Sequence, residues 1–166
     1  TYNMNRENRV HVDYDGISPY LVQALVATED ERFYDHSGID FIALTRAVVK
    51  RGILGQKSAG GGSTITQQLA KQLYSATAKS TLERLLQKPI EWVIAVKLER
   101  FYTKEEIITM YLNYFDFLHN AVGIKTAADV YFDKDPKNLT LTESATLIGL
   151  CKNPSYFNPV RYPERC

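Results

Sequence analysis

Long apolar runs are missing from this 166-residue sequence. No stretch of eighteen or more apolar residues occurs and no basic-then-apolar leader opens it, so these residues are expected neither to span a membrane nor to carry a signal peptide. An excess of one charge is missing too. Twenty basic and nineteen acidic side chains leave a formal charge of +1, far from the balance of a dedicated nucleic-acid binder, so any anion site must be local. Cysteine is scarce: Cys151 and Cys166 permit a disulfide in an oxidising compartment without implying one. The three histidines, His11, His36 and His119, show no ligand spacing, and no zinc site is expected from them. What is present is 45% apolar content, enough for one core in a chain the size of one ordinary domain, taken here as 1–166.

The patterning is helical nearly throughout. A short extended arm is expected around Val10, Val12 and Tyr14. Ser18 and Pro19 then supply an N-cap and a first-turn proline for a helix with Leu21, Val22, Leu25 and Val26 as its apolar stripe and Glu29 at its end. Asp40 caps a second helix expected to turn Phe41, Ile42, Leu44, Val48 and Val49 inward and to stop at Gly52 and Gly55. A glycine-rich loop leads into the capping box Thr64-x-x-Gln67. The longest periodic segment runs from Thr81 to about Phe101, with Leu82, Leu85, Leu86, Ile90, Ile94 and Leu98 on its apolar face and a kink expected at Pro89. Thr103-x-x-Glu106 opens a helix with Ile107, Ile108, Tyr111 and Leu112 inward, a shorter helix covers about Gly123 to Tyr131, and Thr140-x-x-Glu143 caps the last, ending near Asn153-Pro154. About seven helices make the class mainly α.

Three stretches could carry chemistry. In ATEDERFYDHSGID, Glu29 follows Leu25 and Val26 by four and three residues on the apolar stripe, so its carboxylate should be partly desolvated, as suits a general base; the plain alternative is surface charge at a helix end. Asp30 is turned around the helix toward local backbone, and His36 reads as a hydrogen bonder that organises the turn. In GGGSTITQQ, glycines ahead of a helix N-terminus leave backbone N–H groups for a phosphate, with Lys71 further along; a flexible loop and a solvated lysine are the alternative. It is not a Walker A loop, since no Gly-Lys-Ser/Thr follows the glycines. In QKPIEWVIAVKLER, Lys88 and Glu91 are spaced as an ion pair or as part of an anion site. Glu29 and Glu91 together would bring two carboxylates from different helices, an arrangement glycosyl chemistry uses.

In this order and spacing the three stretches resemble the peptidoglycan glycosyltransferase domain, glycosyltransferase family 51, of class A penicillin-binding proteins and monofunctional glycosyltransferases, over about residues 18 to 160. The first motif is met by Glu29, Asp30, Phe33, His36 and Gly38; the second by Gly61 to Gln68 with Lys71. The third keeps Lys88 and Glu91 but has Gln87 in place of an arginine. IITMYLN and ESATLIGLCKNP, followed by Tyr156, Asn158 and Pro159, match the family's structural motifs, whereas a glycine-rich segment between them is replaced by FDFLHNAVG, which retains only Gly123.

The resemblance implies a lysozyme-like helical fold with a membrane-proximal lobe, and an inverting enzyme that polymerises lipid II with release of undecaprenyl diphosphate. Glu29 is then the general base and Glu91 the carboxylate near the donor diphosphate. Asp30, Phe33, His36, Arg46, Ser63, Thr64, Thr66, Gln67, Gln68, Lys71 and Lys88 form the substrate-binding set. A divalent cation, magnesium or manganese, is the single cofactor left open, with no dedicated metal ligands. The implied partners are lipid II, the growing glycan chain, the membrane surface and other cell-wall synthesis proteins, with no nucleic acid. The implied place is the outer, periplasmic face of the cytoplasmic membrane, held by a helix outside these residues. A transpeptidase domain commonly follows in the family; no Ser-x-x-Lys or Lys-Thr-Gly occurs here. The competing readings are a lysozyme-like glycan-cleaving enzyme and a non-catalytic lipid-diphosphate-binding domain.

Overall fold

In a computed structural model the described residues are 10–50, 62–74, 81–153 and 156–161. Gly52, Gly55, the glycines up to Gly61, Pro154 and Cys166 lie outside them, as do the side chains of Leu82, Leu85 and Leu86. Among the described residues there are seven α-helices: α1 (Pro19–Glu29), α2 (Phe41–Val48), α3 (Ile65–Tyr74), α4 (Thr81–Phe101), α5 (Lys104–Tyr114), α6 (Ile124–Phe132) and α7 (Leu141–Lys152). The one strand-like feature among them is an isolated bridge between Asp116 and Val122. The expectation of a mainly α protein holds.

The chain divides into two compact units: residues 29–107 form one, and the segments before and after them form the other. In the two-segment unit, Pro19 begins α1 as expected and Ser18 donates its hydroxyl to the Leu139 carbonyl at 2.8 Å. Leu21, Leu25, Ile108, Tyr111, Leu112 and Phe117 are fully buried there. The expected N-terminal arm is shorter than its pattern suggests. Val12 pairs through both N–H and C=O with the side-chain amide of Asn113, at 3.0 and 2.8 Å, and Tyr14–Gly16 then turn into a 3-10 helix. A single side chain stands in for a neighbouring strand and so cannot propagate one. Thr140 and Glu143 close a reciprocal capping box on α7.

FDFLHN adopts the backbone that its missing glycines would favour. Leu118, His119 and Asn120 all have positive φ, 67°, 49° and 64°, which costs a non-glycine residue about 1 kcal/mol. Gly123 keeps the segment close to α5: a Cβ there would stand 2.7 Å from the Asn113 carbonyl oxygen.

In the unit of residues 29–107, α3 packs on α4, with Ile65, Leu69, Ala70, Ala95 and Leu98 buried. Thr103 and Glu106 form the expected box at the start of α5, exchanging bonds of 2.7 and 3.2 Å. Two helix faces differ from expectation. Asp40 caps α2 as foreseen, accepting from Ile42 and Ala43 N–H, but Phe41, Ile42 and Val48 are 66%, 53% and 62% exposed and Val49 is exposed as well. On α4 the buried line is Glu91, Ala95 and Leu98, while Ile90 is exposed. Leu98 is buried as expected, whereas in the middle of α4 Glu91 and Ala95 take the inward places expected of Ile90 and Ile94.

Candidate active site

Every residue of the expected catalytic and substrate-binding set lies between 29 and 107, within one unit. Helix α1 ends on Glu29, and the chain leaves it through a tight turn in which Phe33–Asp35 form a 3-10 helix. Asp30 holds this turn together. Its two carboxylate oxygens lie 3.1 and 3.0 Å from His36 Nε2, and Oδ2 also accepts from the backbone N–H of Ile65 at 3.0 Å. That N–H is one of the unpaired donors at the start of α3, so an acidic side chain there satisfies both a hydrogen bond and the helix dipole. The Gly38 N–H points to His36 Nδ1 at 3.2 Å. With Nδ1 accepting, the proton of the ring belongs on Nε2, facing Asp30.

The second motif meets the first at this turn. Thr64 donates to the Gly38 carbonyl at 2.7 Å and accepts the Gln67 N–H at 3.1 Å, capping α3. The capping box is half built: the Gln67 side chain turns to the Gly38 carbonyl, 3.3 Å, and to the Ser63 hydroxyl, 3.2 Å. One turn further along α3, Gln68 Nε2 donates to Glu29 Oε2 at 2.8 Å. The carboxylate at the end of α1 is therefore oriented by an amide side chain of the second motif.

The expected set separates by exposure. Phe33 and Thr66 are fully enclosed, and Thr64 and Gln67 nearly so. These four stand in the frame that holds the turn against the start of α3. Asp30 and the His36 ring are also buried and committed to each other. Glu29, Ser63 and Gln68 are half-buried, while Arg46, Lys71 and Lys88 are exposed, so these six keep surface that a substrate could reach.

Glu91 and Lys88 form a second pair on α4. The Glu91 side chain is 5% exposed, and Lys88 Nζ lies 2.9 Å from its Oε2. The pair is an ion contact between a buried carboxylate and a half-exposed ammonium. Among the described residues no three His, Cys, Asp or Glu side chains gather into a set that could hold a metal ion.

Three participants were missed in the sequence. Glu99 and Lys104 pair at 2.8 Å beneath the first turn, and Arg32 Nε lies 3.1 Å from Asp40 Oδ2. Glu99 had a signal: it follows buried Ala95 by four residues, so it is a carboxylate on an apolar stripe, as Glu29 is. Asp40 is nearly enclosed. Its burial alone would raise the carboxyl, but the Ala43 N–H, the Arg32 guanidinium and the Ile42 N–H outweigh it and hold the group below the usual carboxylate range.

A family model described as transglycosylase matches residues 1–166. Among curated proteins, penicillin-binding protein 1F of Bacillus subtilis (strain 168) is 42% identical over 159 residues, covering 96% of this chain and 22% of its own length. Penicillin-binding protein 1A of Aquifex aeolicus (strain VF5) is also 42% identical, over 96% of this chain and 21% of its own. For penicillin-binding protein 1A of Escherichia coli (strain K12) the values are 40%, 96% and 18%. The chain spans about a fifth of the length of these relatives.

Proposed function

This chain belongs to the transglycosylase family, and from that membership we propose that it is a peptidoglycan glycosyltransferase that polymerises lipid II, inverting the anomeric carbon and releasing undecaprenyl diphosphate. The observation that carries the reading is the Gln68–Glu29 hydrogen bond of 2.8 Å, which joins the first and second motifs at one oriented, half-buried carboxylate. In the proposed step the 4-hydroxyl of the acceptor sugar attacks the anomeric carbon of the donor chain. Its proton passes to Glu29, the new C–O bond forms as the bond to the lipid diphosphate breaks, and the electron pair leaves with the diphosphate. One base suffices, and no covalent glycosyl-enzyme is needed.

A departing diphosphate calls for cations. Lys71, Lys88 and Arg46 are exposed and are proposed to meet it, with Gln87 in the place where the family carries an arginine. Glu91 is proposed to sit on the donor side through its pairing with Lys88. Magnesium or manganese is proposed only as a companion of the substrate's own diphosphate, where it would neutralise charge, with Glu91 as the carboxylate able to receive it.

The outward apolar face of α2 supports a membrane-apposed position. Phe41, Ile42, Val48 and Val49 are exposed on a helix that also presents Arg46 and Lys50 to solvent, and an apolar face rimmed by cations suits a lipid surface. Among the described residues no helix is long and apolar enough to cross a membrane. The proposed setting is the periplasmic face of the cytoplasmic membrane, alongside other cell-wall synthesis proteins.

The test is incubation of the full-length protein with labelled lipid II, with and without Glu29→Gln. Polymer from the parent and none from the variant is expected. Polymer from both would remove Glu29 as the base, and shortening of preformed glycan would move the protein to the glycan-cleaving class.

A further inference from the structure

We propose that Glu99 and Lys104 are positioning residues for this reaction, acting through a closed ring of polar contacts that fixes the turn after Glu29 against the first turn of α3. The proposal rests on the assignment of Glu29 as base.

The ring can be followed atom by atom. Thr66 Oγ1 donates to Glu99 Oε1 at 2.6 Å. Lys104 Nζ donates to the same oxygen at 2.8 Å and to the His36 carbonyl at 2.7 Å. The His36 ring contacts Asp30, and Asp30 accepts from the N–H of Ile65, the residue next to Thr66. The path therefore leaves α3 at residue 66, passes through α4, the start of α5 and the first-motif turn, and returns to α3 at residue 65. Gln68, which orients Glu29, lies on that same part of α3.

The ammonium is also 4.3 Å from the centroid of the Phe33 ring, a cation–π distance, so its neighbours come from two separate segments, the carboxylate from α4 and the carbonyl and the ring from the first-motif turn. Glu99 is enclosed, its side chain 5% exposed against 22% for Lys104. A buried ion pair is a weak source of stability, since well-packed apolar residues often serve as well. What apolar residues could not reproduce is the directed bond from Lys104 to the His36 carbonyl and the one from Thr66 to Glu99. Those two bonds point to a geometric role, maintained for the placement of Asp30, Ile65 and, through α3, Gln68.

The experiment uses the full-length protein. Glu99→Gln combined with Lys104→Met removes both charges at once, so neither ion is left buried alone; Lys104→Arg keeps the charge and the donors. Three quantities are read: melting temperature, hydrogen exchange of the peptide covering residues 62–69, and kcat and KM on labelled lipid II. A control variant, Leu147→Ala, removes a buried side chain of the other unit and sets how much rate is lost for a given loss of melting temperature.

The double variant is expected to exchange residues 62–69 about tenfold faster and to lose about tenfold in kcat with KM changed less than threefold, a loss larger than the control relation gives. Lys104→Arg is expected to recover most of both. Parent-like exchange in that peptide overturns the proposal, as does a kcat loss that falls on the control relation. Should the double variant not fold, Thr66→Val breaks one link at nearly constant shape and is expected to give the same pattern at smaller size; parent-like exchange and kcat there overturn the proposal equally. A parent that makes no polymer would defeat the assignment of the activity, and the exchange result would still decide whether the ring holds this segment.

Discussion

Gln68 Nε2 stands 2.8 Å from Glu29 Oε2, joining residues 39 positions apart. A hydrogen bond to a charged acceptor contributes about 1.5–3 kcal/mol. If the bond aligns the base in the transition state, Gln68→Ala should lower kcat by roughly ten- to a hundredfold, with KM nearly unchanged and the melting temperature lowered by the loss of that one bond. Steady-state polymerisation kinetics check this. A rise in KM at constant kcat would instead make Gln68 a substrate contact.

Gly38→Ala should be severely destabilising. The glycine has φ of 96°, and a Cβ there would stand 2.9 Å from the backbone C and O of Ala95. Left-handed strain and forced overpacking add to about 2–5 kcal/mol, measurable as a lower urea midpoint. An unchanged midpoint would mean that the turn can move off α4.

Replacing Phe41, Ile42 and Val48 with glutamine should leave the melting temperature nearly unchanged, because all three are more than half exposed. Association of the purified chain with anionic vesicles should weaken by roughly tenfold or more, given about 25 cal/mol per Å² of apolar surface withdrawn from water. Co-sedimentation reads the difference. Parent-like vesicle binding would exclude α2 as the membrane-facing helix.

The Lys134 ammonium, 2.7 Å away, and then the Thr140 backbone N–H hold the Glu143 carboxyl down at about 2 against an ordinary 4.5. A group whose folded value is depressed stabilises the fold fully above its unfolded value and loses that contribution as pH falls through the folded one. The melting temperature of the parent should therefore fall between about pH 4.5 and about pH 2, and more steeply than that of Glu143→Gln. Asp40 and Asp135 are also held below their ordinary values, so the variant keeps a residual slope. Salt should shrink the difference, since Glu143 lies at the surface.

Local features were legible in the sequence because their partners are close in the chain. The boxes at Thr103 and Thr140, the Asp40 cap and the first-turn Pro19 all appear where their residues stand. The faces of α2 and α4 were harder to assign, for a physical reason. An apolar stripe implies an interior only when water is the sole alternative, and α2 turns its stripe outward. The motifs named the residues of the candidate site but not their division of labour. That Thr66 would face Glu99, or Gln68 Glu29, depends on contacts 33 and 39 positions apart, and Glu99 and Lys104 carried no motif to mark them.

The candidate site lies wholly in residues 29–107, flanked in the chain by the two segments of the other unit. On a ribosome, where domains form as the chain emerges, the unit built from both flanking segments cannot be complete until residue 108 and beyond have been made. All of residues 29–107, Asp30 and His36 among them, have been made by then. The order of synthesis thus completes the segment that carries the candidate site before the unit whose two parts flank it in the chain.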